Sequence, residues 1–286
     1  MMSRAIVILL TTGLLAACGF RVSLDPTLTQ QQIADIVAAP DRTAADKQTD
    51  QRRKPEEILA FMAIKPGSTA LDVSAAGGYT TELLSRAIGP NGTVYGQSAP
   101  PRENAPRPAQ PEGNATGAPA PAAPAAAAPP PVRRTSPESL ALRAETMRNA
   151  KTAFAPIVPV VQPFDNPAPA QTIPGKLDLV TFMFNYHDMG FMGVDRAALN
   201  RSVFAALKSG GAYIVADHAG RPGTGISESG TLHRIEEAFL IKEVEAAGFK
   251  LAATGNFLRN PNDPKDKNTP EPPQPKDEFV LKFVKP

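Results

Sequence analysis

The pattern over residues 69–97 is the feature of the sequence that most constrains the fold. Residues 69–74 (TALDVS) form a short apolar run typical of a strand, and Tyr79–Ile88 is amphipathic and helical. A turn of small residues, 75–78, joins them, and residues 93–97 form a second strand after a Gly-Pro-Asn-Gly turn. The pattern predicts one βαβ unit with two parallel strands, because a helical crossover connects them.

The rest of the chain alternates strands and helices in the same way. Helices are predicted from Pro55 to the Lys65-Pro66-Gly67 stop and over residues 136–154, 196–207 and 232–247, and strands over 157–161, 177–184, 212–217, 250–254 and 279–284. This order implies a mostly parallel sheet with helices on both faces. No helix separates the last two strands, so we expect them to form an antiparallel pair.

Residues 99–136 interrupt this pattern. They include eleven prolines and twelve alanines, and their only aliphatic residue larger than alanine is Val132. Such a segment cannot bury enough apolar surface to fold, so it is predicted to be a disordered insertion in the domain of residues 51–286. It is either inert filler or a contact with the cell wall or a partner.

The N-terminus has the pattern of an exported lipoprotein. Arg4 precedes an apolar run over residues 5–17, which is short for a membrane span, and Leu15-Ala16-Ala17-Cys18 resembles a lipobox. We therefore expect residues 1–17 to be a signal peptide, Cys18 to be lipidated and residues 18–50 to be a tether with one helix near 31–39. The alternative is an ordinary secretory signal with an incidental cysteine.

Several segments resemble class I S-adenosylmethionine-dependent methyltransferases. LDVSAAGGYTTELLSRAIGPNGTVYG is similar to the motif I of these enzymes, and LKSGGAYIVADH to their fifth strand. RRKPEEILAFMAIKPG, FNYHDM, DHAGRPGTG, TLHRIEEAFLIKEVEAAGF and FVLKFVKP resemble a narrower group of exported predicted methyltransferases. The resemblance covers residues 35–98 and 137–286. It implies a Rossmann-like sheet of seven strands whose last strand is antiparallel, with helices on both faces.

The resemblance also implies S-adenosylmethionine as cofactor, at the switch point of the sheet. Asp72 would orient the motif I turn or meet the cofactor amine, and Ser74 and Ala76 stand where the family has glycine. Gln97 replaces the acidic residue that often holds the ribose. The expected cofactor-binding residues are Asp72, Ser74, Ala75, Ala76, Gly77, Gly78, Gln97, Asp165 and Asn185.

The expected acceptor site follows the fourth and fifth strands. His187 is the candidate general base, because the ordinary pKa of histidine is near neutrality. Asp188 would orient it, and His218 would form a second polar wall. The sequence does not require a metal, although His187, Asp188, Asp217 and His218 could form a divalent site. His233 is predicted on a helix, as a surface or packing residue.

Two further residue groups near this site have open interpretations. Tyr186 could form a wall of the acceptor pocket. Arg52-Arg53-Lys54 could close over the cofactor carboxylate, or could be a solvated basic run.

The functional expectation is methyl transfer to a small-molecule acceptor by a protein on the periplasmic side of the envelope, anchored through Cys18. Gly19 favours the outer membrane. The alternatives are a non-catalytic ligand-binding lipoprotein with a degenerate methyltransferase fold and a structural lipoprotein that contacts the wall. Lys and Arg number 30 against 28 Asp and Glu, so a nucleic-acid partner is not expected.

Overall fold

The computed structural model describes residues 27–101, 134–168, 176–270 and 274–286. The lipobox at Cys18 and residues 102–133 of the Pro/Ala-rich segment lie outside the described residues. Within the described ranges, no helix combines the length and apolar character that a membrane span requires.

Eight helices and seven strands are present in the described part of the chain. The helices are α1 (Gln30–Ala38), α2 (Ala44–Arg53), α3 (Pro55–Met62), α4 (Tyr79–Ile88), α5 (Ser136–Asn149), α6 (Asp188–Phe191), α7 (Arg196–Ala206) and α8 (Glu237–Ala246). The strands are β1 (Thr69–Val73), β2 (Thr93–Ser98), β3 (Ile157–Val161), β4 (Leu177–Met183), β5 (Leu207–His218), β6 (Lys250–Gly255) and β7 (Glu278–Val284).

The strands form one sheet in the order β3-β2-β1-β4-β5-β7-β6. The first five strands in this order are parallel, and β7 is antiparallel to both β5 and β6. This confirms the predicted fold class. The chain leaves β1 toward β2 on one side and later returns to β4 on the other, so the switch point lies between β1 and β4.

Two apolar cores cover the two faces of the sheet. Successive residues of a strand point to opposite faces, and Ala70 and Leu71 of β1 accordingly belong to different cores. One core includes buried residues of α1, α3 and α4 and the other includes those of α7 and α8. Strands covered on both faces read as nearly continuous apolar runs, which is why the sequence identified them.

The N-terminal segment contains one more helix than the sequence predicted. The expected helix near 31–39 is α1, whose Ile33 is buried in the core. α2 was not predicted because its sequence, AADKQTDQRR, has no apolar face. Ion pairs hold it instead: Arg42 of the preceding loop pairs with Asp50, and Asp46 pairs with Arg143 of α5.

Two predicted helix boundaries were wrong. α8 begins at Glu237 rather than at residue 232, because the preceding segment is tied to the end of β5: the Ile235 amide donates to the His218 carbonyl oxygen. α5 ends at Asn149 rather than at residue 154. Its N-cap is Thr135, which forms a capping box with Glu138.

Candidate functional site

A cleft of about 360 Å³ lies at the carboxyl ends of the central strands, at the predicted switch point. Residues that follow β1 and β4 line it, together with His218 at the end of β5 and residues of α2. The predicted site residues that line it are Asp72, Ser74, Ala75, Ala76, Gly77, Asn185, His187, Asp188 and His218. Gly78, Gln97 and Asp165 do not line it.

Asp72 is a buried carboxylate near the end of β1. It accepts hydrogen bonds from the hydroxyls of Thr81, at 2.6 Å, and Thr181, at 2.8 Å. Burial raises its pKa to about 6, although these two hydrogen bonds oppose the shift. In the described part of the chain, no basic side chain forms an ion pair with it. A bound cation would therefore offset the free-energy cost of burying the ionised carboxylate.

The turn after β1 keeps a glycine-like backbone without all of the glycines. Ser74 and Ala76 have φ values of 60° and 47°, in the left-handed region that costs a residue with a Cβ about 1 kcal/mol or more. A Cβ added at Gly77 would meet nothing within 4 Å, so this part of the turn faces open space. A Cβ at Gly78 would lie 2.7 Å from Leu140, so Gly78 allows close packing of α5.

Gln97 and Asp165 differ from their expected roles. Gln97 is fully buried: its Oε1 accepts from the Ser74 amide at 3.0 Å, and its Nε2 donates to the Gln162 carbonyl oxygen at 2.6 Å. Its amide is thus used to fix the turn and is not directed at a ribose. Asp165 is exposed and lies outside the cleft.

All three histidines of the chain lie together at the other side of the cleft. The ring centroid of His187 is 5.4 Å from that of His218 and 5.5 Å from that of His233. His187 Nδ1 is 2.6 Å from Asp217 Oδ1, and Nε2 is 3.1 Å from Asp188 Oδ1. Burial lowers the pKa of His187, but the two carboxylates outweigh it and raise the pKa to about 10. The pKa of His187 is therefore not held near neutrality, and its role as a general base stays a prediction.

Asp188 connects two of the histidines. Its Oδ1 lies 3.3 Å from His233 Nδ1 as well as 3.1 Å from His187 Nε2. Its Oδ2 accepts from Asn185 Nδ2 at 3.0 Å, so Asn185, expected at the cofactor, fixes this carboxylate. One ligand atom from each of His187, Asp188 and His233 lies within 4.8 Å of the others, so these three residues form a histidine–carboxylate group that could hold a metal.

Sequence reasoning missed His233 because it placed this residue on a helix. In the structure it lies in the segment before α8, with φ of 49°, and it lines the cleft. Its neighbour Arg234 is fully buried and pairs with Asp263 at 2.8 Å. The scarcity of histidine could have indicated that His233 belongs to the site. The chain has three histidines, and the other two were already predicted at the ends of neighbouring strands.

The metal set considered from the sequence does not form in this geometry. Both oxygens of Asp217 are engaged by amides or by His187, at 2.6–2.8 Å. His218 Nδ1 lies 2.9 Å from Glu278 Oε1, across the β5–β7 pairing. Arg52 also pairs with Glu278, at 3.0 Å. Asp217 and His218 thus have other partners.

Arg53 is placed against the cleft and is not part of a solvated basic run. Its guanidinium lies 3.7 Å from the centroid of the Phe184 ring, and its buried Nε has no hydrogen-bond partner in the described residues. Burial and the charge of Arg52 lower its pKa to about 10. Lys54, in contrast, is exposed and donates to the Phe257 carbonyl oxygen.

Tyr186 does not form a wall of the cleft. It is fully buried, and its hydroxyl group lies 3.1 Å from a carboxylate oxygen of Glu243 and 2.8 Å from Asn200 Nδ2, within the core on the α7 and α8 side.

Comparisons with known proteins agree with the topology. No protein-family model and no curated protein sequence matches the chain. A SAM-dependent methyltransferase from Aquifex aeolicus superposes with a TM-score of 0.51 at 14% identity, over 90% of this chain and 98% of that one. A chain of the complex between the Haloferax volcanii Trm112 methyltransferase activator and a candidate methyltransferase gives 0.50 at 16% identity, over 91% and 100%. The likeness is one of fold.

Proposed function

We propose that this chain binds S-adenosylmethionine in the cleft and transfers its methyl group to a small-molecule acceptor. One observation carries the proposal: the β1 turn and a cluster of polar, titratable side chains face one cleft, at the switch point of a fold shared with solved methyltransferases. The volume of about 360 Å³ is in the range of small-molecule sites.

Three features around the β1 turn, two on β1 and its turn and one on α2, fit this cofactor, which carries an ammonium, a sulfonium and a carboxylate. Asp72 offers a buried carboxylate that pairs with no basic side chain in the described residues. The open backbone at Gly77 lies just before α4, whose first amides suit an anion. Arg53 offers a buried Nε without a partner among the described residues. When bound, the cofactor would supply an electrophilic methyl group; the chain would position it.

The acceptor would lie against the histidine side of the cleft. His187 is held by Asp217, and Asp188 by Asn185, so both present fixed polar atoms to the cleft. His218 and His233 are further polar groups of this wall. Such fixed groups orient an acceptor oxygen or nitrogen toward the methyl group, and orientation is the main requirement of an in-line displacement.

A non-catalytic ligand-binding protein is the second candidate. The side chains of Ser74 and Ala76 add atoms where the related family has glycine, and Gln97 is turned away from the cleft. These features favour a turn that has lost cofactor binding while the fold has been retained.

Calorimetric titration of S-adenosylmethionine and S-adenosylhomocysteine into the full-length chain distinguishes the two. We expect dissociation constants in the micromolar range, about −8 kcal/mol, and at least about tenfold weaker binding for Asp72→Asn. Asp178→Asn, a change at a partly buried carboxylate outside the cleft and at the other end of the sheet, is the matched control. Absence of heat and of thermal stabilisation at millimolar ligand would leave the second candidate.

We also propose that Cys18 anchors the protein to the periplasmic side of the envelope, on the outer membrane. The lipobox-like sequence and Gly19 support this. Metabolic labelling with a fatty acid should mark the wild-type protein and not Cys18→Ser, and an unlabelled wild-type protein would refute the anchor.

A further inference from the structure

We propose that His187, Asp188 and His233 bind one divalent first-row transition-metal ion at the acceptor side of the cleft. This set differs from the one that the sequence suggested, because His233 replaces Asp217 and His218. Two imidazoles and one carboxylate are ligands that such ions take readily. The inference concerns metal binding and does not require the proposed function to be correct.

The distances between the ligand atoms fit a shared ion. His187 Nε2 and Asp188 Oδ1 are 3.1 Å apart, and Asp188 Oδ1 and His233 Nδ1 are 3.3 Å apart. Two ligand atoms on a tetrahedral ion with bonds of about 2.0–2.1 Å lie about 3.3 Å from each other. The three ligand atoms are within 4.8 Å of one another, so small side-chain rotations suffice to bring them around one ion.

Partners outside the group already orient two of the ligands. Asp217 Oδ1 lies 2.6 Å from His187 Nδ1 and fixes the ring so that Nε2 faces Asp188. A carboxylate on the far nitrogen of a histidine is the usual outer partner in metal sites. Asn185 Nδ2 donates to Asp188 Oδ2 at 3.0 Å, which leaves Oδ1 toward the histidines.

The third ligand is fixed through its backbone. His233 has a left-handed φ of 49°, a conformation that costs about 1 kcal/mol or more and persists only where neighbours impose it. Arg234 imposes it on one side by donating to the Ala219 carbonyl oxygen and pairing with Asp263, both buried contacts. The Ile235 amide donates to His218 at 3.0 Å.

The arrangement leaves the remaining coordination positions open toward the cleft. All three ligands line it, so an ion there would face the same space as the β1 turn. An open position beside three protein ligands accepts water or an anionic oxygen of a substrate. If the proposed function holds, this favours acceptors that bind the ion through a deprotonated hydroxyl or carboxylate oxygen.

Titration with Zn²⁺ and Co²⁺ tests the site. The full-length chain, made without a histidine tag and stripped with a chelator, is titrated in competition with a chromogenic chelator. We expect one ion per chain and visible Co²⁺ absorption typical of tetrahedral coordination. His233→Gln should weaken Zn²⁺ binding by more than about 100-fold, because loss of an outer partner alone costs about 10- to 100-fold. Asp217→Asn should weaken Zn²⁺ binding by the smaller factor of about 10- to 100-fold.

His218→Gln is the matched control, because His218 is the one histidine outside the assigned group. It should leave the stoichiometry and affinity unchanged. Less than one Zn²⁺ per wild-type chain, or equal losses in His218→Gln and His233→Gln, would overturn the assignment. His233 is partly exposed, whereas His187 and the control residue His218 are both buried, so thermal unfolding of His218→Gln is compared with that of the wild type before its metal binding is interpreted. Cofactor titration without metal reports separately on the proposed function.

Discussion

At the residue scale, the cleft is built from charged groups whose burial opposes their ionisation. Burial raises the pKa of Asp72 and lowers that of Arg53, and neither forms a direct ion pair in the described residues. Groups held in this way are enriched at binding sites, because a ligand of opposite charge replaces the stabilisation that water would give to the ionised group.

Asp72 should make stability depend on pH. Its pKa of about 6 in the folded chain exceeds 3.8, so the folded state binds the proton more tightly. The free energy of unfolding should therefore fall as pH rises from about 4 to about 6, by up to about 3 kcal/mol. Arg53 is the charged group that opposes this shift. Denaturant unfolding across this window should show a weaker decline in Asp72→Asn than in wild type.

The turn residues with positive φ give a second prediction at this scale. Ser74→Gly combined with Ala76→Gly should tighten cofactor binding, because it removes two Cβ atoms and the strain of two left-handed residues. Lys151→Gly is the matched control, because Lys151 has φ of 57° but is exposed and outside the cleft. Calorimetry on both variants tests this, and equal affinities would show that the side chains do not obstruct the ligand.

At the element scale, α5 fixes the β1 turn from outside the sheet. Arg143 of α5 donates to the Gly77 carbonyl oxygen at 2.5 Å and to both carboxylate oxygens of Asp46 in α2, at 2.8 and 2.9 Å. It also pairs with Glu82 of α4. One guanidinium thus joins three helices and the turn, and its planar fork is what allows this.

Arg143→Lys should weaken this junction although the charge remains. A lysine presents one ammonium and cannot reproduce the paired bonds to Asp46 together with the bond to Gly77, so we expect a loss of about 1–3 kcal/mol and weaker cofactor binding. Arg148→Lys, on the exposed side of the same helix, should change neither. Thermal unfolding and cofactor titration measure the two effects. Equal changes in stability and affinity for both variants would contradict the role of Arg143 in joining the helices and the turn.

At the scale of the whole molecule, the N-terminal helices belong to the folded domain. Ile33 of α1 is buried in the core with residues of α3 and α4, such as Ile58 and Leu84. Arg52 and Arg53 of α2 line the cleft. This segment therefore both completes a core and forms one wall of the site.

Ile33→Ala measures this contribution. Truncation of a buried isoleucine costs about 2–5 kcal/mol, so the free energy of unfolding should fall by that amount in a single cooperative transition. Val37→Ala, at a partly buried position of α1, should cost less. A change below 1 kcal/mol for Ile33→Ala, measured in denaturant, would mean that the segment is a loose arm.

The sequence by itself determined the strands, most helices and the edge of the sheet at which the site lies. These features depend on apolar periodicity and turn residues, which act between residues close together in the sequence. Parallel strands bring their carboxyl ends together, so Asp72, His187 and His218 were expected in one cleft. Tertiary structure alone decided which groups the side chains of the site contact. Whether Gln97 faced ligand or backbone, and whether His233 lay on a helix or in the cleft, depended on contacts with Ser74 and with the end of β5, far away in sequence.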